Sequence, residues 1–185
     1  MIDDVFNAAQ DRMTKAVEAL RRELATIRTG RAHPGLVEHL RVDYYGVPTP
    51  LNQLATIAVP DPRLLTIQPW DRQAMGAIEK AILKSDLSLT PTNDGTLIRL
   101  SIPQLTEERR RDLAKVVHKK VEEARVEVRN IRRDGHDELR RLQREKLISE
   151  DDQFRGQEKL QKLTDDFVHQ VERLGEEKEA ELLAV

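Results

Sequence analysis

The chain has 185 residues, 31 of them basic and 33 acidic, with no cysteine, 38% hydrophobic and only 3% aromatic side chains. Disulfides and thiolate chemistry are excluded, and 35% charge suits long exposed helices with narrow apolar seams better than a compact enzyme core. A formal charge of −2 taken alone argues against a polyanionic partner, and no stretch reaches the roughly 18 apolar residues of a membrane span.

In chain order, residues 2–28 read as a helix. Phe6, Ala9, Met13, Ala16, Leu20, Leu24 and Ile27 recur in steps of three and four, with Asp3 or Asp4 available as a cap. The pattern stops at Thr29-Gly30, and Pro34 prevents it resuming at once. The acidic, immediately amphipathic start is no signal peptide, and a cytoplasmic location is expected.

Residues 30–105 have another texture, holding all eight prolines and both tyrosines. Leu40-Val42-Tyr44 alternates and ends in a turn at Tyr45–Pro48. Ala55–Val59 and Leu64–Gln68 read as strands about Pro60-Asp61-Pro62. Asp71 can cap a helix through Ala74, Ala77, Ile78, Ala81 and Ile82; Thr92–Gly95 is a turn, and Leu97–Ile102 a last strand before Pro103. Trp70, Tyr44 and Tyr45 are expected as core or turn packing.

A second long helix opens at Thr106, a good N-cap followed by Glu107 and Glu108, and runs to about Leu147 with Gly135 as a local weak point. Ser149-Glu150-Asp151-Asp152 starts a third, with Leu160, Leu163, Phe167, Val171, Leu174 and Leu182 on one side. Three amphipathic helices with one seam each pack most simply as a three-helix bundle, so the expected class is α+β. Residues 1–29 and 106–185 form the bundle, and 30–105 a small inserted β/α/β domain. Two linker strands, Thr29–Arg31 and Pro103–Leu105, join them as a hinge. Intermolecular coiled coil is the competing arrangement.

The average charge hides a sorting. Residues 106–148 carry 14 basic against 10 acidic side chains, and residues 149–185 carry 5 against 11. On the helical wheel Leu113, Val117, Val121, Ala124, Val128, Ile131, Leu139 and Leu142 share a sector. Arg111, His118, Arg125, Arg129, Arg132, Arg133, His136 and Arg140 take the next. Most acids lie further round, Glu122 being the main intruder. Simple pairing of a basic with an acidic helix explains the net charges but not this sorting. A cationic stripe rich in arginine points to phosphate, most simply RNA or DNA. No aromatic interleaves with it, which favours backbone and shape recognition over base stacking.

Catalytic patterns are missing. No Gly-rich phosphate loop, HExxH or GxSxG occurs, and His118 with Glu122 reads as a surface pair rather than a metal site. Neither enzymatic activity nor a cofactor or metal is expected.

Several motifs carry a resemblance. Ile27–Pro34 (IRTGRAHP), Val42–Leu51 (VDYYGVPTPL), Leu105–Arg110 (LTEERR), Val128–Asp134 (VRNIRRD) and Ser149–Asp152 (SEDD) follow one another in order. Together they closely resemble the bacterial ribosome recycling factor family over the whole chain. The resemblance implies an L-shaped two-domain molecule that binds the post-termination 70S ribosome between the subunits. Its helical domain would lie on large-subunit ribosomal RNA near the peptidyl site. Elongation factor G with GTP would drive the smaller domain's movement and split the subunits. Carried over by motif, the RNA contacts expected are Arg132 first, then Arg129, Arg110 and Arg28, with Arg133, Arg31 and Arg125 behind them. The hinge would be Thr29, Gly30, Arg31, Pro103, Gln104 and Leu105, and the protein is expected to be a monomer. A dimeric coiled-coil adaptor, with no role for the arginine face, is the rival expectation.

Overall fold

The computed structural model describes residues 1–184. These contain helices α1 (Ile2–Ala25), α2 (Met75–Lys84), α3 (Glu107–Arg144) and α4 (Glu150–Leu183). The strands are β1 (Arg41–Tyr44), β2 (Val47–Pro50), β3 (Ala55–Asp61), β4 (Leu64–Pro69), β5 (Thr92–Asn93) and β6 (Ile98–Ser101). Two compact units result: Met1–Leu24 with the chain from Arg110 onward, and Ala25–Arg109. Residues 25–29 and 106–109, expected with the bundle, group with the smaller unit. Arg28 illustrates why, since its Nη1 donates to Leu87 O at 2.6 Å.

The first unit is a three-helix bundle. Cross-helix contacts give its topology: Arg12–Asp134 and Lys120–Glu23 run α1 antiparallel to α3, and Gly135–Leu160 and Gly175–Val121 run α4 antiparallel to α3. Helix α4 is therefore parallel to α1, with Lys159 near Asp3. Met13, Val17, Leu20 and Leu24 of α1 are buried with the expected apolar sector of α3 and with Leu160, Leu163, Phe167, Val171 and Leu182 of α4. All three seams are thus covered within one chain. The pattern of α1 runs on to Ile27, which is buried although the helix ends at Ala25, so periodicity overshoots the helix. The start of α3 is capped as expected, Arg109 N donating to Thr106 Oγ1 at 3.1 Å, and Asp152 N donates to Ser149 Oγ at 3.0 Å ahead of α4. The end of α3 comes at Arg144 rather than Leu147. Lys146 turns to φ +59° and Leu147 N donates to Leu142 O at 2.9 Å, a Schellman closure without glycine.

Glycines let α3 and α4 approach. Gly135 faces Leu160, Gly156 faces Leu139 and Gly175 faces Val121. Gly135, expected as a weak point, lies inside an unbroken helix because its missing side chain is filled by Leu160. At Gly175 an added Cβ would stand 2.6 Å from Val121 Cγ2, and a helical valine has little rotamer freedom to retreat. Gly175→Ala should therefore lower stability by about 1–3 kcal/mol through overpacking, despite alanine's roughly 1 kcal/mol better helix propensity. Exposed Gly76 in α2 has nothing within 4 Å of the same atom, so Gly76→Ala should hold or raise stability by up to about 1 kcal/mol. Urea melts of the two variants check this; a Gly175→Ala as stable as the parent would contradict the packing argument.

The second unit holds a two-stranded sheet, β1-β2, and a four-stranded sheet of order β3-β4-β6-β5, antiparallel throughout. The β1–β2 loop is Tyr45-Gly46, both at positive φ (49° and 81°) as a tight hairpin of primed type requires. Strand β2 contains Pro48 and Pro50, which hid it in the sequence. As an edge strand it can spare their missing donors. Residues 92–93, expected as turn, pair with β6 as a short edge strand. Asp71 does cap, accepting from Gln73 N at 3.0 Å, but a 3-10 turn (Arg72–Ala74) precedes α2. The core joins Val42, Leu51, Leu65, Ile67, Ile78, Ile82, Ile98 and Leu100.

Trp70 is a correction. Expected as packing, it is 65% exposed, with its Nε1 donating to Thr56 Oγ1 at 2.8 Å. Tyr45 sits in the turn, 72% exposed, donating to Gln73 Oε1 at 2.7 Å. Tyr44 alone packs on the core, its hydroxyl bound to Asp71, whose carboxylate raises its pKa.

Candidate nucleic-acid interface

The seam of α3 divides its charges between two neighbours. On one flank Asp134 meets Arg12 of α1 at 3.0 Å. The other flank borders α4: His118 Nε2 lies 3.2 Å from Glu179 Oε1, Arg125 Nε lies 3.7 Å from Glu172 Oε1, and Arg132 Nη1 donates to Gln161 Oε1 at 3.0 Å. These contacts anchor the inner row of the basic stripe. Arg125 also holds Glu122, the intruding acid, at 2.6 Å.

The outer row points to solvent. Arg129 and Arg133 are exposed, and among the described residues neither makes a hydrogen bond or ion pair. Arg140 meets Asp137 at 3.6 Å, an exposed pair that contributes little. Exposed Lys115, four residues after Arg111, is a further cation here that the arginine pattern leaves out; helical spacing was the available signal. Helix pairing thus engages the inner row and leaves guanidinium groups able to take phosphate oxygens two at a time.

Of the arginines singled out, Arg125, Arg129, Arg132 and Arg133 gather within about two turns of α3. Arg110 is half-buried near the start of the same helix, some 33 Å from Arg132 at 1.5 Å per residue. Arg28 and Arg31 belong to the other unit. Arg28 is half-buried and committed to Leu87 O, while Arg31 is exposed. Gly30, at φ +78°, lies with its Cα side toward Leu105, an added Cβ standing 3.5 Å from Leu105 N. The segments expected as hinge, 29–31 and 103–105, both fall inside the smaller unit. The residues next to them are fastened there, Ala32 N donating to Pro62 O (2.7 Å) and Ile102 N to Arg63 O (2.8 Å).

His136 sits within the stripe, half-buried, its Nε2 shielded from solvent without a hydrogen-bond partner. Its pKa is lowered by burial first, then by Arg132 and Arg140, with Asp137 opposing. A depressed histidine pKa means the unfolded chain binds the proton more readily. Its contribution to stability is therefore present above about pH 6.5, the unfolded-state value, and is lost as pH falls from there through the lower folded-state one. Urea midpoints should drop between pH 7.5 and pH 5.5, and His136→Gln should reduce the drop. An unchanged drop would assign the effect to other groups.

Among the described residues no group of His, Asp or Glu side chains is placed to hold a metal ion, and no helix is long and apolar enough to cross a membrane.

Comparison with known proteins returns one answer. Residues 20–183 match the family described as "Ribosome recycling factor". The ribosome-recycling factor of Carboxydothermus hydrogenoformans is 59% identical, and that of Roseiflexus sp. 58%, each over the whole of both chains. A solution structure of the ribosome recycling factor, 46% identical, superposes with a TM-score of 0.83, covering 100% of this chain and 98% of its own. A second structure is described as models for the T. thermophilus ribosome recycling factor and the E. coli elongation factor G bound to the E. coli post-termination complex. That chain is 47% identical, with a TM-score of 0.71 and full coverage of both.

Proposed function

Because the chain belongs to the ribosome recycling factor family, we propose that it grips the post-termination 70S ribosome through the arginine face of α3, the anchored Arg132 together with the outer row. The partner of that face is large-subunit ribosomal RNA near the peptidyl site. Elongation factor G, using GTP, then moves the smaller domain about the linkers at 29–31 and 103–105, and the subunits separate from the mRNA. The protein works in the cytoplasm as a monomer, without a cofactor, and hydrolyses nothing itself.

The observation that carries this reading is the solvent-facing, unpaired state of Arg129 and Arg133 beside an anchored Arg132. Arg132, already ordered by Gln161, loses little freedom on meeting phosphate, while Arg129 and Arg133 keep all their donors for it. At 1.5 Å per residue, the 38 residues of α3 give the face a support about 57 Å long. Burial of all three seams within one chain supports the monomer over the coiled-coil adaptor, which needs a partner helix.

Light scattering by post-termination 70S complexes tests the proposal. Scattering should fall only when this protein, elongation factor G and GTP are all present. Splitting without elongation factor G, or GTP turnover by the protein alone, would contradict it.

A further inference from the structure

The sequence places no aromatic on the basic stripe of α3, but the neighbouring helix supplies one at its edge. Of the three phenylalanines, Phe167 is buried in the bundle, Phe6 is half-buried with Lys159 6.0 Å from its ring centre, and Phe154 is 60% exposed. Among the described residues the Phe154 ring has no aromatic or cationic partner.

Its position follows from helix geometry. The α4 side chains that border the basic flank are Glu179, Glu172 and Gln161. Phe154 stands seven residues before Gln161, two turns along the same side of α4 and about 10 Å further down its axis. Gly156 packs on Leu139, so Phe154 is level with the residues just after Leu139, where Arg140 belongs to the stripe. The row of polar contacts between α3 and α4 therefore continues into an exposed phenyl ring. Leu147, 50% exposed in the turn between these helices, adds apolar surface at the same end.

A phenyl ring offers phosphate neither charge nor a donor. On α4 itself the ring's helical neighbours are Glu150, Asp151 and Glu158, so the backbone-gripping cations are those of α3, and the group within its reach that prefers a π-face to water is a base. We propose that Phe154 is a stacking platform for an unpaired nucleobase of the RNA whose backbone the arginine row grips. The inference rests on the RNA-binding reading above and gives that face a non-electrostatic contact at the end where α3 meets α4.

The test is equilibrium binding to vacant 70S ribosomes over a salt series, for Phe154→Ala, Phe154→Leu and Phe154→Trp beside Arg132→Ala. Stacking predicts that the alanine variant binds roughly tenfold more weakly with an unchanged salt dependence. Tryptophan should restore or exceed the parent affinity, and leucine should be as poor as alanine. Parent-like affinity for the alanine variant would overturn the proposal. So would rescue by leucine and failure by tryptophan, which would place the ring in an apolar pocket of a ribosomal protein. Loss of affinity in Arg132→Ala but not Phe154→Ala removes the stacking contact alone; no loss in either removes the RNA-face reading as well.

Discussion

Arg132→Ala will weaken binding to 70S ribosomes by about ten- to a hundred-fold, the range for losing one charge-assisted hydrogen-bonded contact of roughly 1.5–3 kcal/mol. Arg132 is one of the four arginines that cluster on α3, and Gln161 fixes its guanidinium in place. Gln161 in turn donates to Asp165 at 2.9 Å, so the contact belongs to a short network rather than to one mobile side chain. The fold should be indifferent to the change. Arg132 is only half-buried, its partner is a neutral amide, and its removal relieves one of the cations that disfavour protonated His136. Circular dichroism and urea midpoints close to those of the parent, with weakened binding, are the expected pair of results. Loss of both would make Arg132 structural.

Gly30→Pro should leave ribosome binding within about two- to three-fold of the parent yet slow subunit splitting by tenfold or more, a barrier change of at least roughly 1.4 kcal/mol. The reasoning is conformational. Gly30 holds φ at +78°, whereas proline fixes φ near −65°, so the substitution redirects the linker as well as stiffening it. Alanine is the control. A Cβ at Gly30 meets only ordinary contacts 3.5 Å away at Leu105, and the left-handed backbone costs it about 1–2 kcal/mol. Gly30→Ala should therefore split ribosomes at a rate nearer the parent's. Normal splitting by Gly30→Pro would contradict the assignment of motion to this linker.

The helices were legible because three- and four-residue apolar spacing survives translation into burial almost residue by residue. Val117, Val121, Val128, Ile131 and Leu139 are all buried in α3 as the wheel requires. Boundaries were less legible, since Ile27 is buried beyond the end of its helix and Lys146 closes α3 in a conformation usually left to glycine or asparagine. Strand β2 escaped notice because two of its four residues are prolines, and edge position cannot be read from a run of letters. The exposure of Trp70 depends on a hydrogen bond to Thr56, a partner one strand away. The sorting of arginine on α3 was visible from spacing alone. Which of those arginines are spent on α4 and which are left to solvent was not, because that depends on the register set by Gly135, Gly156 and Gly175. Arg28 shows the same limit, since the carbonyl that holds it lies 59 residues away.

The most direct test of the arginine face is the salt dependence of binding, measured by co-sedimentation with vacant 70S ribosomes. The parent should bind stoichiometrically at low salt, with log affinity falling linearly against log salt as counterions are released. An Arg129→Ala, Arg132→Ala, Arg133→Ala triple variant should lose about 2–3 units of that slope, at roughly 0.7–0.9 per phosphate contact. An unchanged slope in the triple variant, or parent binding indifferent to salt, would contradict RNA recognition by this face.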